Sequence, residues 1–111
     1  VVVLGATYRG GVKETAFSGV FGAVAALQAR GAEVLVHDPL YTDDELARYG
    51  WQPYHLGQPV DAAVVQADHA EYRALAPADL PGIRTFVDGR RVSSAEQWPG
   101  VTYRVIGIPG V

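Results

Sequence analysis

The loop that follows the first apolar run carries two side chains that could bind a phosphorylated ligand. Residues 5–11 read "GATYRGG", which places Tyr8 and Arg9 between glycines. A guanidinium donates several hydrogen bonds in a planar fork that suits phosphate, and a neighbouring ring offers a face to a base or a sugar. The same residues also suit a plain connector, with Tyr8 packed on a sheet edge and Arg9 solvated. The connector is longer than usual, which favours a functional loop.

The elements around this loop predict the start of a parallel sheet. Residues 1–4 are apolar and β-branched apart from the last, as in a strand buried on both faces. Apolar residues at helical spacing predict a helix over residues 17–30, with Gly31 as a left-handed C-cap. Residues 33–37 predict a second strand, which Pro39 ends because proline cannot donate to a strand ladder. This order is that of a parallel crossover.

The later segments continue the alternation of strands and helices. Thr42 and Glu45 have the spacing of a capping box, which predicts a short helix over residues 42–49. Residues 62–66 predict a strand, and Asp68 is the predicted N-cap of the helix that follows. Two further strands are predicted within "RTFVDGRR" and "TYRVIGI". We expect a single α/β domain with a Rossmann-like, doubly wound and mostly parallel sheet and helices on both faces.

This fold class indicates where a ligand would bind. In doubly wound sheets, ligands lie beyond the carboxyl ends of the strands. The polar residues predicted at that edge are Thr7, Tyr8, Arg9, His37, Asp38, Asp68, His69, Asp88 and Arg90. Arg9 and Arg90 are the only basic residues in that set. They are therefore the candidate phosphate ligands.

A dinucleotide-binding fingerprint is incomplete in this chain. It needs a short G-x-G-x-x-G turn that opens directly into a helix, so that pyrophosphate meets the helix N-terminus. Here four residues separate Gly5 from Gly10, and the predicted helix begins well beyond them. Asp38 could imitate the acid that binds ribose in that fold, but a turn or cap role explains it more simply. NAD binding by these residues is therefore not expected.

Other phosphate-binding and metal-binding patterns also fit poorly. A P-loop would need lysine and a hydroxyl residue where Gly11 and Val12 stand. A phosphoryl-accepting receiver domain would need acids just after the first strand, where this chain has Ala6 and Thr7. Four polar residues could be drawn as zinc ligands, although strand-end caps explain them better: His37, Asp38, Asp68 and His69. No metal site is predicted.

Composition narrows the function classes further. The 111 residues carry a net charge of −3 without a run of basic residues, which gives no support to nucleic-acid or membrane binding. No segment is long and apolar enough for a membrane span, and no signal-peptide pattern is present. The absence of cysteine excludes a cysteine nucleophile within these residues. The lack of methionine and a start inside a strand suggest a part of a longer polypeptide.

Several blocks together resemble one known family. The segments "VLGATYRGGVKETAFSG", "ARGAEVLVHDPL", "DAAVVQADHAEYRAL" and "VDGRR" are similar, in that order, to the C-terminal, UDP-binding domain of the UDP-glucose/GDP-mannose dehydrogenase family. The similarity is strongest to bacterial enzymes that act on UDP-N-acetylhexosamines. It identifies residues 1–111 as the substrate-binding domain of a longer nucleotide-sugar dehydrogenase.

The resemblance implies the chemistry of the whole enzyme. Family members oxidise the C6 alcohol of the sugar to a carboxylate in a four-electron reaction, with two NAD molecules and a catalytic cysteine. NAD is held mainly by an N-terminal domain, and a helical region forms a homodimer. The expected setting is cytoplasmic polysaccharide biosynthesis. This chain is accordingly expected to hold no catalytic residue and to bind the UDP-sugar together with the remaining domains.

The resemblance also assigns residues. The family's aromatic and lysine pair after the first strand falls on Tyr8 and Arg9, and the arginine of its "DGR" block falls on Arg90. Three further residues are secondary candidates for substrate binding: Thr7, Lys13 and Ser18. Two positions depart from the pattern, since lysine is commoner at Arg9 and Ala16 stands where the family has an arginine.

A non-catalytic nucleotide-binding or interaction module of the same fold is the alternative. The two readings differ in what precedes these residues in the gene. An upstream G-x-G-x-x-G domain and a cysteine-bearing motif would mark the dehydrogenase, whereas a free-standing gene would favour the module.

Overall fold

Strand β1, Val2–Leu4, lies in the middle of a six-stranded sheet in which each neighbouring pair is parallel. The computed structural model of the chain describes residues 1–16 and 18–105. The other strands are β2 (Leu35–His37), β3 (Gln52–Pro53), β4 (Ala62–Val65), β5 (Thr85–Asp88) and β6 (Thr102–Val105). Their order in the sheet is β3-β2-β1-β4-β5-β6. This order reverses at β1, as the doubly wound prediction requires.

The register of the strands places their carboxyl ends at one level. Leu4 of β1 is paired with His37 of β2 on one side and with Val65 of β4 on the other. Val65 is in turn paired with Asp88, the last residue of β5. The residues that follow these four strands therefore emerge side by side along one edge of the sheet.

Two α-helices cover one face of the sheet. Helix α1 (Val20–Ala29) and helix α2 (Asp43–Arg48) contribute to a core with the buried side chains of β1 and β2. The predicted capping box of α2 is confirmed, since the Thr42 side chain accepts from the Glu45 amide and the Glu45 side chain accepts from the Thr42 amide. Gly31 has φ +86°, as predicted for the C-cap region of α1.

The opposite face is covered by 3₁₀ helices, not by α-helices. These are Ala70–Ala74, Pro77–Asp79 and Ala95–Gln97. The helix predicted after β4 is present as one short 3₁₀ helix, but the prediction of Asp68 as its N-cap was wrong, because His69 is in the cap position. Pro77 explains its length, since the residue before a proline is restricted to extended backbone, and Ala76 has φ −134° and ψ 164°.

Other boundaries differ modestly from the predictions. The first helix begins at Val20, the second strand begins at Leu35, and the fourth strand ends at Val65. The two-residue strand β3 was not predicted, because it ends on Pro53 and has too few residues to show a periodic pattern. The predicted final strand is confirmed through Val105, and its last residues lie outside the described part of the chain.

The turn after β1 depends on a glycine. Gly5 has φ +106°, and a Cβ atom built on it would lie 2.4 Å from the Cβ of Ala67, which follows β4. Its amide donates to the carbonyl of His37 at 2.7 Å. The loop can therefore leave β1 between β2 and β4 only where no side chain is present.

We expect Gly5→Ala to destabilise the fold by more than about 2 kcal/mol, because it adds both a forbidden backbone conformation and a steric overlap. The matched control is Gly22→Ala in α1, where nothing lies within 4 Å of the added Cβ. This second change should stabilise the chain by up to about 1 kcal/mol through helix propensity. Urea unfolding of both variants measures the difference, and equal stabilities would contradict the close-approach explanation.

Asp88 organises the turn after β5. Its buried carboxylate accepts hydrogen bonds from the amides of Arg90, Val92 and Ser93 and from the hydroxyl of Tyr103 in β6. Burial acts to raise the pKa of Asp88, but these donors outweigh it and lower the pKa below its usual value. Burial and the same carboxylate raise the pKa of Tyr103 to about 12. Asp88 therefore stabilises the fold as an anion.

The stabilisation by Asp88 should depend on pH. Because its pKa is lower in the folded state, its contribution is present above the unfolded-state value of about 3.9 and is lost as the pH falls through the folded-state value. We expect Asp88→Asn to reduce the free energy of unfolding by about 1–3 kcal/mol at pH 7 and by less at pH 3. Chemical unfolding at both pH values tests this, with the exposed Asp61→Asn as control. A penalty independent of pH would contradict the ionised role.

Candidate functional site

Asp38 joins three strand ends at the carboxyl edge of the sheet. Its Oδ2 accepts from the Ala6 amide at 2.7 Å and from Nε2 of His69 at 2.8 Å, and its Oδ1 accepts from the Leu40 amide at 2.8 Å. Burial acts to raise the pKa of Asp38, but the hydrogen bonds from His69 and from the two amides lower it overall. Asp38 is only 4% exposed, and both of its carboxylate oxygens already accept hydrogen bonds from within the protein. It is not presented to a ribose.

His69 connects this carboxylate to the loop after β1. The imidazole is buried, and its Nε2 lies 2.8 Å from Asp38 Oδ2 and 3.3 Å from Thr7 Oγ1. Its Nδ1 accepts from the Gly11 amide at 3.1 Å. A backbone amide can only donate, so Nδ1 carries no proton and the hydrogen is on Nε2. The hydrogen-bond network thus assigns the neutral Nε2-protonated tautomer.

Gly10 brings the loop against the residues after β4. Its amide donates to Oδ1 of Asp68 at 2.5 Å, and this bond is the largest cause that lowers the pKa of Asp68. A Cβ on Gly10 would lie 2.2 Å from the Asp68 carbonyl oxygen. The consecutive amides of Gly10 and Gly11 are therefore both engaged by side chains of the same protein. They do not form the open row of donors that cradles pyrophosphate in a glycine-rich loop.

The three main predicted binding residues lie together at this edge. Arg90 donates from Nε to the carbonyl of Gln66 at 3.0 Å and from Nη2 to the carbonyl of Tyr8 at 2.9 Å. The guanidinium of Arg9 lies 5.7 Å from the centroid of the Tyr8 ring. Tyr8 is half-buried, while both arginines are exposed. One ring and two cationic side chains are thus adjacent on an otherwise acidic chain.

The three secondary candidates are placed differently. Thr7 is fully buried, and its hydroxyl donates to the Arg9 carbonyl at 2.7 Å. Lys13 forms an ion pair with Glu45 at 2.6 Å. Ser18 donates to the Thr7 carbonyl at 3.2 Å and accepts from the Val20 amide at the start of α1. In the structure each of these side chains contributes to the loop and its supports.

Sequence reasoning missed Gln66, the residue that follows β4. The side-chain nitrogen Nε2 of Gln66 donates to the backbone carbonyls of Gly5 and Thr7 and to Ser18 Oγ. The side-chain oxygen Oε1 accepts from the Gly19 amide. Gln66 therefore ties both ends of the connector between β1 and α1 to the sheet. A polar side chain directly after an apolar strand was the available signal, but the sequence could not show which backbone groups it would reach.

The alternative of a metal site receives no support from the described residues. Within residues 1–16 and 18–105, no group of three or more histidine, cysteine, aspartate or glutamate side chains is placed to hold a metal ion. His37 Nδ1 is bonded to the Tyr72 hydroxyl at 3.0 Å, and burial lowers the pKa of His37.

No helix within residues 1–16 and 18–105 is long and apolar enough to span a membrane.

A groove of about 850 Å³ lies at the opposite, amino edge of the sheet. It is lined in part by Val1, Glu33, Asp61 and Arg84, which precede the strands. Ligand sites in doubly wound sheets lie at the carboxyl edge, and the predicted binding residues are all there. We therefore assign the candidate site to Tyr8, Arg9 and Arg90 and not to this groove.

Comparison with solved structures shows the same fold in known dehydrogenases. UDP-D-ManNAc dehydrogenase from Pyrococcus horikoshii is 24% identical, with a TM-score of 0.70 over 96% of this chain. A derivative structure of the UDP-N-acetyl-mannosamine dehydrogenase Cap5O from S. aureus is 21% identical, with a TM-score of 0.72 over 94% of this chain. This chain spans 25% of the length of each of those proteins.

The family assignment comes from the sequence match. No curated protein matches the chain in a sequence comparison. The family described as "UDP-glucose/GDP-mannose dehydrogenase family, UDP binding domain" matches over residues 2–95, which includes β1 to β5 and all three residues of the candidate site. The parallel sheet, the long loop after β1 and the turn at Asp88 all lie within the matched region. The chain therefore belongs to the UDP-glucose/GDP-mannose dehydrogenase family, as its UDP-binding domain.

Proposed function

We propose that the site formed by Tyr8, Arg9 and Arg90 binds the UDP part of a nucleotide sugar. The observation that carries this proposal is that two exposed guanidinium groups lie at Tyr8, that of Arg9 beside its ring and that of Arg90 on its backbone carbonyl. Both lie at the carboxyl edge of a domain whose family binds UDP. Arginine forks match phosphate oxygens, and an aromatic ring offers a stacking face. A pyrimidine nucleotide diphosphate presents both partners.

The two arginines have different roles in this proposal. Within residues 1–16 and 18–105, the one contact given for the Arg9 guanidinium is with the Tyr8 ring. The guanidinium can therefore turn towards a diphosphate. Arg90 is already bonded to the carbonyls of Tyr8 and Gln66. It therefore holds the loop against the end of β4 and adds positive charge beside the ligand. Arg9 acts on the ligand directly, whereas Arg90 combines support with attraction.

In this proposal NAD is not bound by this part of the protein. The Gly10 and Gly11 amides and both oxygens of Asp38 are engaged within the chain, and α1 begins only at Val20. In the proposed enzyme, NAD and the cysteine chemistry that oxidises the sugar's C6 alcohol to a carboxylate belong to other residues of a longer polypeptide. The 111 residues contain no cysteine, in keeping with that division.

The wider setting follows from the same proposal. The UDP-sugar would be closed between this domain and the remaining domains of a homodimeric, cytoplasmic enzyme of polysaccharide biosynthesis. The relatives of similar fold are named for UDP-N-acetylmannosamine, which makes a UDP-N-acetylhexosamine the first substrate to test. The exposed edge around Arg9 is the surface that such a partner domain would complete.

A nucleotide titration followed by ¹⁵N NMR tests the choice of ligand. We expect UDP to shift the amide signals around Tyr8 and Arg90 in a saturable way, whereas NAD and GDP should give weaker shifts or none. The glycine amides that would hold a dinucleotide are already engaged. Saturable NAD binding at residues 5–11 without a response to UDP would contradict the proposal.

Charge-matched substitutions test the residue assignment. Arg9→Ala should weaken UDP binding about ten- to a hundredfold, because it removes one charge-assisted hydrogen bond that contributes about 1.5–3 kcal/mol. Arg30→Ala removes the same charge from the exposed end of α1 and should leave the affinity within about twofold. Calorimetric or NMR titration measures both, and equal affinities for the two variants would assign Arg9 a structural role only.

A further inference from the structure

The loop that carries the candidate site depends on a histidine that lies outside it. Among residues 7–11, Thr7 is bonded through its hydroxyl to His69, and the Gly11 amide donates to Nδ1 of the same imidazole at 3.1 Å. The other side of the ring is bonded to the Asp38 carboxylate at 2.8 Å. His69 is 1% exposed, so the ring itself is shielded from solvent. One imidazole therefore joins β2, the segment after β4 and the loop.

The two ring nitrogens have opposite requirements. Nε2 must carry a proton to bond Asp38, because a carboxylate can only accept. Nδ1 must be unprotonated to bond Gly11, because an amide can only donate. A second proton on the ring would leave the Asp38 bond intact and place two N–H groups against each other at Gly11. Protonation of His69 therefore removes the loop contact alone.

We propose that His69 is the positioning residue of the nucleotide-binding loop and that only its neutral form holds Gly11 in place. This proposal rests on the proposed function for its consequence, since the held loop presents Tyr8 and Arg9 to the ligand. Imidazole is the side chain whose charge ordinarily changes between pH 5 and pH 8. Protonation of the ring would release the Gly11 amide, so the order of residues 7–11, and with it UDP-sugar binding, depends on pH through this side chain.

The surroundings of His69 are charged on several sides. Asp38, which follows β2, is hydrogen-bonded to the ring. The ring centroid of Tyr72, in the following 3₁₀ helix, lies 5.5 Å from that of His69. The electrostatic influence of His69 extends to its neighbours His37 and Asp68. Among residues 1–16 and 18–105, the titratable groups shown to interact with the imidazole are Asp38, Tyr72, His37 and Asp68.

Two substitutions separate the two ring nitrogens. Asparagine at position 69 places an oxygen near Nδ1, so His69→Asn retains an acceptor for Gly11 and loses the donor to Asp38. Glutamine reaches the position of Nε2, so His69→Gln retains the donor to Asp38 and loses the acceptor for Gly11. Neither side chain titrates. His55→Asn removes an exposed histidine that pairs with Asp43 and serves as control.

The experiment measures the Gly11 amide directly, without nucleotide. Hydrogen exchange by NMR gives its protection factor from pH 8 to pH 5, and ¹⁵N shifts of the imidazole report the tautomer and protonation of His69. In the unsubstituted chain and in His55→Asn, protection of Gly11 should fall about three- to tenfold as His69 is protonated. His69→Asn should keep the protection at every pH, and His69→Gln should lack it at every pH.

Several outcomes would overturn the proposal. Examples are a proton on Nδ1 at pH 8, full Gly11 protection in His69→Gln, or unchanged protection after His69 has been protonated. An imidazole that stays neutral down to pH 5 would overturn the pH dependence. The unsubstituted chain decides these points even where a variant does not fold.

Titration with UDP-N-acetylmannosamine at pH 8 and pH 5.5 then tests the functional consequence. This ligand is chosen because its diphosphate diester keeps the same charge at both pH values. Binding should weaken at pH 5.5 in the unsubstituted chain and not in His69→Asn. A chain that shows the Gly11 behaviour but no binding at either pH would reject the proposed function and leave the positioning role of His69 standing.

Discussion

The buried carboxylate of Asp38 is the constraint on which the carboxyl edge of this domain depends. A buried charge is tolerated only when its oxygens are satisfied by hydrogen bonds, and here the donors come from the loop after β1, from the turn after β2 and from His69 after β4. Removing one of these donors would leave the others in place but the charge less compensated. The edge is therefore a connected network, in which the position of the loop is linked to that of two neighbouring strands.

This network also explains why the glycine-rich loop differs from a dinucleotide loop. In a dinucleotide loop, backbone amides are left open for pyrophosphate at a helix start. Here the Gly10 and Gly11 amides are bonded to Asp68 and His69, and Gln66 bonds the carbonyls of Gly5 and Thr7. Recognition is left to side chains at the surface. A fixed backbone with exposed guanidinium groups is consistent with a nucleotide that is bound from one side and covered by another domain.

Arg90 illustrates how one residue can serve the fold and the site together. Its side chain donates to the Tyr8 and Gln66 carbonyls, while its backbone amide donates to the carboxylate of Asp88 at the end of β5. The position of the guanidinium is therefore set by the turn that Asp88 holds. Because the carboxyl ends of β1, β4 and β5 are level, this turn lies directly beside the loop. The parallel register of the strands thus places Arg90 beside Tyr8, although the two residues are far apart in the sequence.

The amino-acid sequence was sufficient to predict the alternation of strands and helices apart from β3, the capping box at Thr42, the glycine after α1 and the edge of the sheet at which polar residues lie. These features follow from local preferences, since apolar periodicity, caps and glycine conformations are read within a few residues. It also identified Tyr8, Arg9 and Arg90 as one group, through a family resemblance. The folded structure was needed to show that Thr7, Lys13 and Ser18 support the loop, that Gln66 bonds it to the sheet, and that the segment after Asp68 is a 3₁₀ helix. Those outcomes depend on which partners come within hydrogen-bond distance after the strands align, and that distance is set by register and packing between segments far apart in the chain.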